Sequence, residues 1–163
     1  MSTTDELIAA NEDYAAGFDR GALAMPPSRQ VAVVACMDAR LDVYRLAGID
    51  LGEAHVIRNA GGVVTDDVLR SLVISQRLLG TTEIVLIHHT DCGMLTFRDD
   101  GVKDQVLADT GLRPAFALEA FGDPAEDIRQ SIARIEASPF VPSKQVRGFV
   151  YDVGSGRLDE VKR

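Results

Sequence analysis

The apolar run Ile84-Val85-Leu86-Ile87 ends abruptly in His88-His89, and Cys92 follows three residues after the second histidine. An apolar run without polar alternation suits a strand covered on both faces, as in parallel sheets held between helices. Its end then delivers imidazole and thiolate, a borderline and a soft metal ligand, to one edge of the fold. A tetrahedral site needs about four ligands, so this stretch requires help from another element. Cys36, the only other cysteine, also follows an apolar run, Val31-Ala32-Val33-Val34-Ala35, and opens the sequence Cys36-Met37-Asp38-Ala39-Arg40. If the two runs are neighbouring parallel strands, Cys36, Asp38, His89 and Cys92 converge on one point. Successive strand residues face opposite ways, so His88 and His89 cannot both reach that point. His89 is the expected ligand, His88 a hydrogen-bonded or cleft residue, and His55 structural.

The rest of the chain suggests the frame that would bring the runs together. Thr3 to Phe18 reads as a peripheral amphipathic helix, and Gly21 to Arg29, with glycine, two prolines and a serine, as a connector. Strands are expected at Val31–Ala35, Gly52–Arg58 and Glu83–His88, with a short helix at Leu41–Leu46 between the first two. Asn59-Ala60-Gly61-Gly62 carries adjacent glycines and offers a backbone anion nest. Thr65 with Asp66 and Asp67 opens a helix that Gly80 stops. Gly93 to Asp100 suggests another short helix, Gly101 to Gly122 a helical piece followed by a short strand, and Asp123-Pro124 the start of a helix ended by Pro139 and Pro142. Val146–Val153 and Arg157–Val161 read as an antiparallel pair across Gly154-Ser155-Gly156.

The expected fold class is therefore α/β: a mostly parallel sheet of about four strands plus an antiparallel edge strand, with helices on both faces. Its 163 residues suit one domain, with 1–29 as helix and connector and 30–163 as the α/β core. Ligands of such sheets bind beyond strand carboxyl ends, where the strand order reverses. Cys36 and His89 both lie at strand carboxyl ends, so topology and chemistry choose the same edge. A net charge of -8 argues against a nucleic-acid partner. No apolar run approaches the roughly 20 residues of a membrane helix. Two cysteines and no basic-then-apolar start point to a reducing, cytoplasmic setting.

On residue types alone, Cys36 and Cys92 could instead form a disulfide or redox pair, and Asp38 with Arg40 a plain loop salt bridge. Three linked motifs, Cys36-Met37-Asp38-Ala39-Arg40, Arg58-Asn59-Ala60-Gly61 and His89-Thr90-Asp91-Cys92-Gly93, resemble those of the beta-class carbonic anhydrases in order, spacing and strand context. Ala39 stands where that family usually has serine, and Gly62 where asparagine is often found. The resemblance implies one zinc ion per chain on Cys36, His89 and Cys92, and reversible hydration of carbon dioxide to bicarbonate through a zinc-bound hydroxide. It implies that Asp38 and Arg40 form a catalytic dyad controlling the fourth zinc position, which Asp38 could itself occupy. Asn59, Ala60 and Gly61 would lie at the substrate. A homodimer or higher homo-oligomer is also implied, with Tyr14 and Phe18 as contact residues. Related alternatives are a zinc hydrolase of carbon disulfide or carbonyl sulfide, and a catalytically silent zinc-binding regulatory module.

Overall fold

A computed structural model describes residues 2–162. The chain runs through α1 (Thr3–Ala16), β1 (Val31–Cys36), α2 (Val43–Ala47), β2 (Ala54–Asn59), α3 (Asp66–Arg77), β3 (Glu83–His89), α4 (Asp99–Thr110), α5 (Pro124–Ala137), β4 (Gln145–Tyr151) and β5 (Leu158–Glu160). Single 3-10 turns occupy Ala60–Gly62 and Gly93–Leu95. The strands form one sheet in the order β2-β1-β3-β4-β5, in which only the β4–β5 pairing is antiparallel. The chain leaves β1 toward β2 on one side and returns to β3 on the other. The strand order therefore reverses between β1 and β3, the position at which such sheets bind ligands.

Alternation along the central strands divides the interior. Ala32 and Val34 of β1 and Ile84 and Leu86 of β3 pack on one face against Leu72 of α3 and Ile128, Ile132 and Ile135 of α5. Val33, Ala35 and Ile87 point to the other face, where Leu41, Val43 of α2, Cys36, Cys92 and Met94 complete a second cluster. Helices thus lie on both faces, two long ones on the first and short α2 with loops on the second. The Gly148 position shows how closely α5 lies on β4: a Cβ there would come within 2.1 Å of the Ile128 side chain.

Helix starts follow the sequence signals. Thr65 caps α3 through the N–H of Val68, and Asp123 caps α5 through the N–H of Glu126 with Pro124 at the first helical position. Two expectations fail. The segment Gly93 to Asp100 is not one short helix, because a 3-10 turn ends at Leu95 and α4 begins at Asp99. No strand forms in residues 111–122, which remain irregular. The N–H groups of Leu118, Glu119 and Ala120 donate to the Asp99 carboxylate at 2.7, 3.2 and 2.9 Å. One side chain thus satisfies three donors that a strand would have offered to a neighbour, and holds Asp99 below the usual carboxylate range.

Helix α1 carries a Ser2–Asp5 capping box but buries none of its residues. Leu7, Ile8, Tyr14 and Phe18 are all exposed, with the Tyr14 and Phe18 rings 5.5 Å apart. Among the described residues, no helix is long and apolar enough to cross a membrane.

Candidate metal centre

Parallel pairing of β1 with β3 sets Ala35 beside Ile87, so the two strand ends release Cys36 and His89 next to each other. The turn after β3 brings Cys92 back to the same place. One ligand atom from each of Cys36, His89 and Cys92 lies within 4.8 Å of the others, and all three residues are buried. The cysteines are free thiols with sulfurs 4.0 Å apart, about twice a disulfide bond length.

The donor set fits a soft or borderline cation. The Nδ1 of His89 lies 2.8 Å from the carbonyl oxygen of Thr90, which can only accept, so Nδ1 carries the proton and Nε2 carries the lone pair. That Nε2 is buried without a hydrogen-bond partner. Burial also pushes the His89 pKa below its ordinary value, so the ring is neutral at physiological pH and ready to coordinate. Burial pushes the Cys92 thiol up to about 11, opposed by the backbone N–H of Met94 and reinforced by Cys36. The buried Cys92 sulfur thus resists ionisation in the absence of a cation, and a bound cation reverses that preference.

Asp38 and Arg40 stand at the rim. Asp38 Oδ1 accepts from the backbone N–H and from Nε of Arg40, both at 2.9 Å, and Oδ2 accepts from Nη2 at 2.8 Å. These bonds hold the Asp38 carboxyl well below the usual carboxylate range. Asp38 Oδ2 also lies 3.7 Å from His89 Nε2, on the side of the thiols and the free imidazole nitrogen. The motif loop is tied down from β2: Arg58 donates to the carbonyl of Cys36 at 3.0 and 2.9 Å and to that of Asp38 at 2.7 Å. Asn59 donates to the carbonyl of Val63 at 2.8 Å, closing the loop that contains Ala60 and Gly61. Gly62 has φ +74°, and a Cβ there would lie 2.8 Å from the Cys36 backbone nitrogen and 3.1 Å from the Ile87 carbonyl oxygen. With the backbone placed as it is in this chain, a side chain at position 62 would require the two strand ends to shift.

His88 and His55 take up other tasks. The Nε2 of His88 meets Asp127 of α5 at 2.7 Å, on the opposite face from His89, and its ring stacks on Phe121. His55 Nδ1 pairs with Ser75 at 2.8 Å, in a chain that continues to Thr81. Two residues escaped the sequence reading of the site. Arg58 was visible within Arg58-Asn59-Ala60-Gly61, and Asp91 sits between two candidate ligands, but neither spacing signals the contact each one makes.

Comparison with known proteins agrees with this geometry. The sequence profile of the family described as Carbonic anhydrase matches residues 31–121. "Beta-carbonic anhydrase 1" of Mycobacterium tuberculosis is 62% identical over 162 residues, covering 99% of each chain. A "Carbon disulfide hydrolase" of Acidianus sp. is 33% identical over 179 residues, covering 94% of this chain and 86% of that one. The crystal structure of a carbonic anhydrase from Streptococcus mutans superposes with TM-score 0.93 at 44% identity, covering 99% of each chain. The chain belongs to the carbonic anhydrase family, in its beta class.

Proposed function

We propose that this chain is a zinc-dependent lyase that interconverts carbon dioxide and bicarbonate, with Cys36, His89 and Cys92 as metal ligands. The observation that carries the reading is the buried triad within 4.8 Å, whose one partnerless imidazole nitrogen faces the two sulfurs. Zinc, when bound, supplies a Lewis acid that makes water nucleophilic near neutral pH. The two thiolates supply the negative charge that holds the cation, and His89 binds without giving up a proton.

Asp38, kept ionised by Arg40, is an obligate acceptor at neutral pH. Its Oδ2 takes the hydrogen bond of the attacking O–H and fixes the direction of the oxygen lone pair. Arg40 holds Asp38 in that pose with two parallel bonds, which a lysine could not reproduce. Ala35, Ile87 and Met94 surround the sulfurs with apolar groups and restrict stray water. Asn59, Ala60 and Gly61 lie on the loop against β1, and we assign them to the substrate side of the crevice. Relatives named for carbon disulfide hydrolysis share about a third of their residues with this chain, against 62% for the mycobacterial carbonic anhydrase, which favours carbon dioxide as substrate.

Assembly belongs to the same proposal. A helix of 14 residues that buries none of them within its own chain calls for an outside surface, and a second copy of this chain supplies it. Two thiols that function only when reduced suit a cytoplasmic location.

The test is stopped-flow hydration of carbon dioxide by zinc-replete protein, beside a chelated control and Asp38→Ala. Hydration is expected with zinc and lost on chelation. In Asp38→Ala it should fall about 10- to 100-fold while zinc stays at one per chain. Stoichiometric zinc without hydration would reject the reading.

A further inference from the structure

Arg40 is gripped from two sides, and the dyad accounts for only one of them. While Nε and Nη2 hold Asp38, Nη1 donates to Asp91 Oδ2 at 2.7 Å and Nη2 to the Asp91 carbonyl oxygen at 2.9 Å. The guanidinium fork is thus shared between the loop after β1 and the turn after β3. Asp91 adopts φ +54°, a left-handed conformation uncommon outside glycine, asparagine and aspartate. The preceding residue pins the turn to the end of β4: the Thr90 N–H donates to the Tyr151 carbonyl at 2.9 Å, and its hydroxyl accepts from the Val153 N–H at 3.1 Å. A strained residue on a pinned turn is a fixed anchor. Arg40 itself is half exposed and has long-chain rotamer freedom to lose.

We propose that Asp91 is a positioning residue: by anchoring Arg40 from the far side, it keeps the Asp38 carboxylate on the guanidinium and away from the metal. The proposal rests on the reading that Cys36, His89 and Cys92 hold zinc. Asp38 Oδ2 already lies 3.7 Å from His89 Nε2, so a short swing takes it from Arg40 into the ligand cluster. Without its second anchor, Arg40 spreads over more rotamers and holds Asp38 for less of the time. The freed carboxylate then competes for the open position on the metal and closes it.

Zinc retention reads this directly, because a fourth protein ligand slows release. The experiment follows zinc transfer from the zinc-loaded protein to a colorimetric chelator for the wild type, Asp91→Asn and Asp91→Gly, each also carrying Asp38→Ala. Both replacements tolerate the left-handed backbone, so neither adds strain at φ +54°. Release is expected to slow about two- to fivefold in Asp91→Gly, the range an exposed ion pair can supply, and less in Asp91→Asn, which retains an acceptor. The difference should vanish in the Asp38→Ala background, and cobalt-substituted Asp91→Gly should show an altered visible absorption spectrum. A merely structural role for Asp91 loosens the Cys92 turn and accelerates release, the opposite sign. Unchanged or faster release, or slowing that survives Asp38→Ala, overturns the proposal. Wild-type protein that takes up no zinc overturns the metal reading itself, before any variant is compared; if Asp91→Gly does not fold, the sign of the Asp91→Asn effect decides.

Discussion

His88 and His89 are adjacent, equally buried and yet belong to different regions of the molecule. His88 lies on the face where α3 and α5 pack against β1 and β3, and its partner is a carboxylate on α5. His89 lies on the face covered by α2 and loops, and its free nitrogen meets two sulfurs and the rim carboxylate. A strand's period of two separates a histidine that ties a helix to the sheet from one offered to a cation. The contrast teaches that burial does not distinguish structural from chemical residues here. Nor does ring satisfaction, since each keeps one buried nitrogen without a partner; what distinguishes them is their company, an α5 carboxylate for His88 and two cysteines for His89.

Substitutions on the two faces should therefore fail in different ways. His89→Ala or Cys92→Ser is expected to abolish stoichiometric zinc, measured by metal analysis of dialysed protein, and to reduce hydration to that of the chelated control. Ile128→Ala, on the opposite face, should cost about 2–5 kcal/mol of unfolding free energy in urea titration while leaving zinc stoichiometry intact. Loss of zinc from folded Ile128→Ala would break the comparison.

Acidity sharpens it next. With its thiol pushed up to about 11, Cys92 is protonated throughout the physiological range in the metal-free protein, so binding through it must release a proton. Zinc affinity measured by competition should therefore rise with pH, about tenfold per unit for each thiol proton released, and fall as pH drops. His89, already neutral, adds little to that slope above pH 7. The smallest effect is expected at the structural histidine. Asp127→Asn keeps a hydrogen bond to His88 but loses its charge, and should cost about 1 kcal/mol in thermal or urea unfolding with unchanged metal content.

The sequence makes much of this division readable. Uninterrupted apolar runs before Cys36 and His89 identify two strands buried on both faces, and strand alternation assigns the two histidines to opposite sides. Thr65 and Asp123 mark helix starts because capping is local chemistry. Long-range contacts by flexible side chains are different. Nothing near Asp99 announces that it will bind three N–H groups about 20 residues later, so an apolar but irregular stretch there resembles a strand. Likewise, the grip of Asp91 on Arg40 spans 51 positions and depends on a left-handed backbone that no local pattern signals. The exposure of α1 is hidden for the opposite reason, since its pattern encodes a helix without saying which surface receives it.

The sulfurs of Cys36 and Cys92 meet across 56 positions of sequence. An ion held by both would close that segment into a ring around α2, β2, α3 and β3. In the unfolded chain, a cross-link of that span removes loop-closure entropy worth on the order of 4 kcal/mol. On the proposed ligand set, the centre that handles a three-atom gas molecule would also be a clasp on the protein's topology, and stripping the ion should loosen the half of the sheet that contains the strand-order reversal.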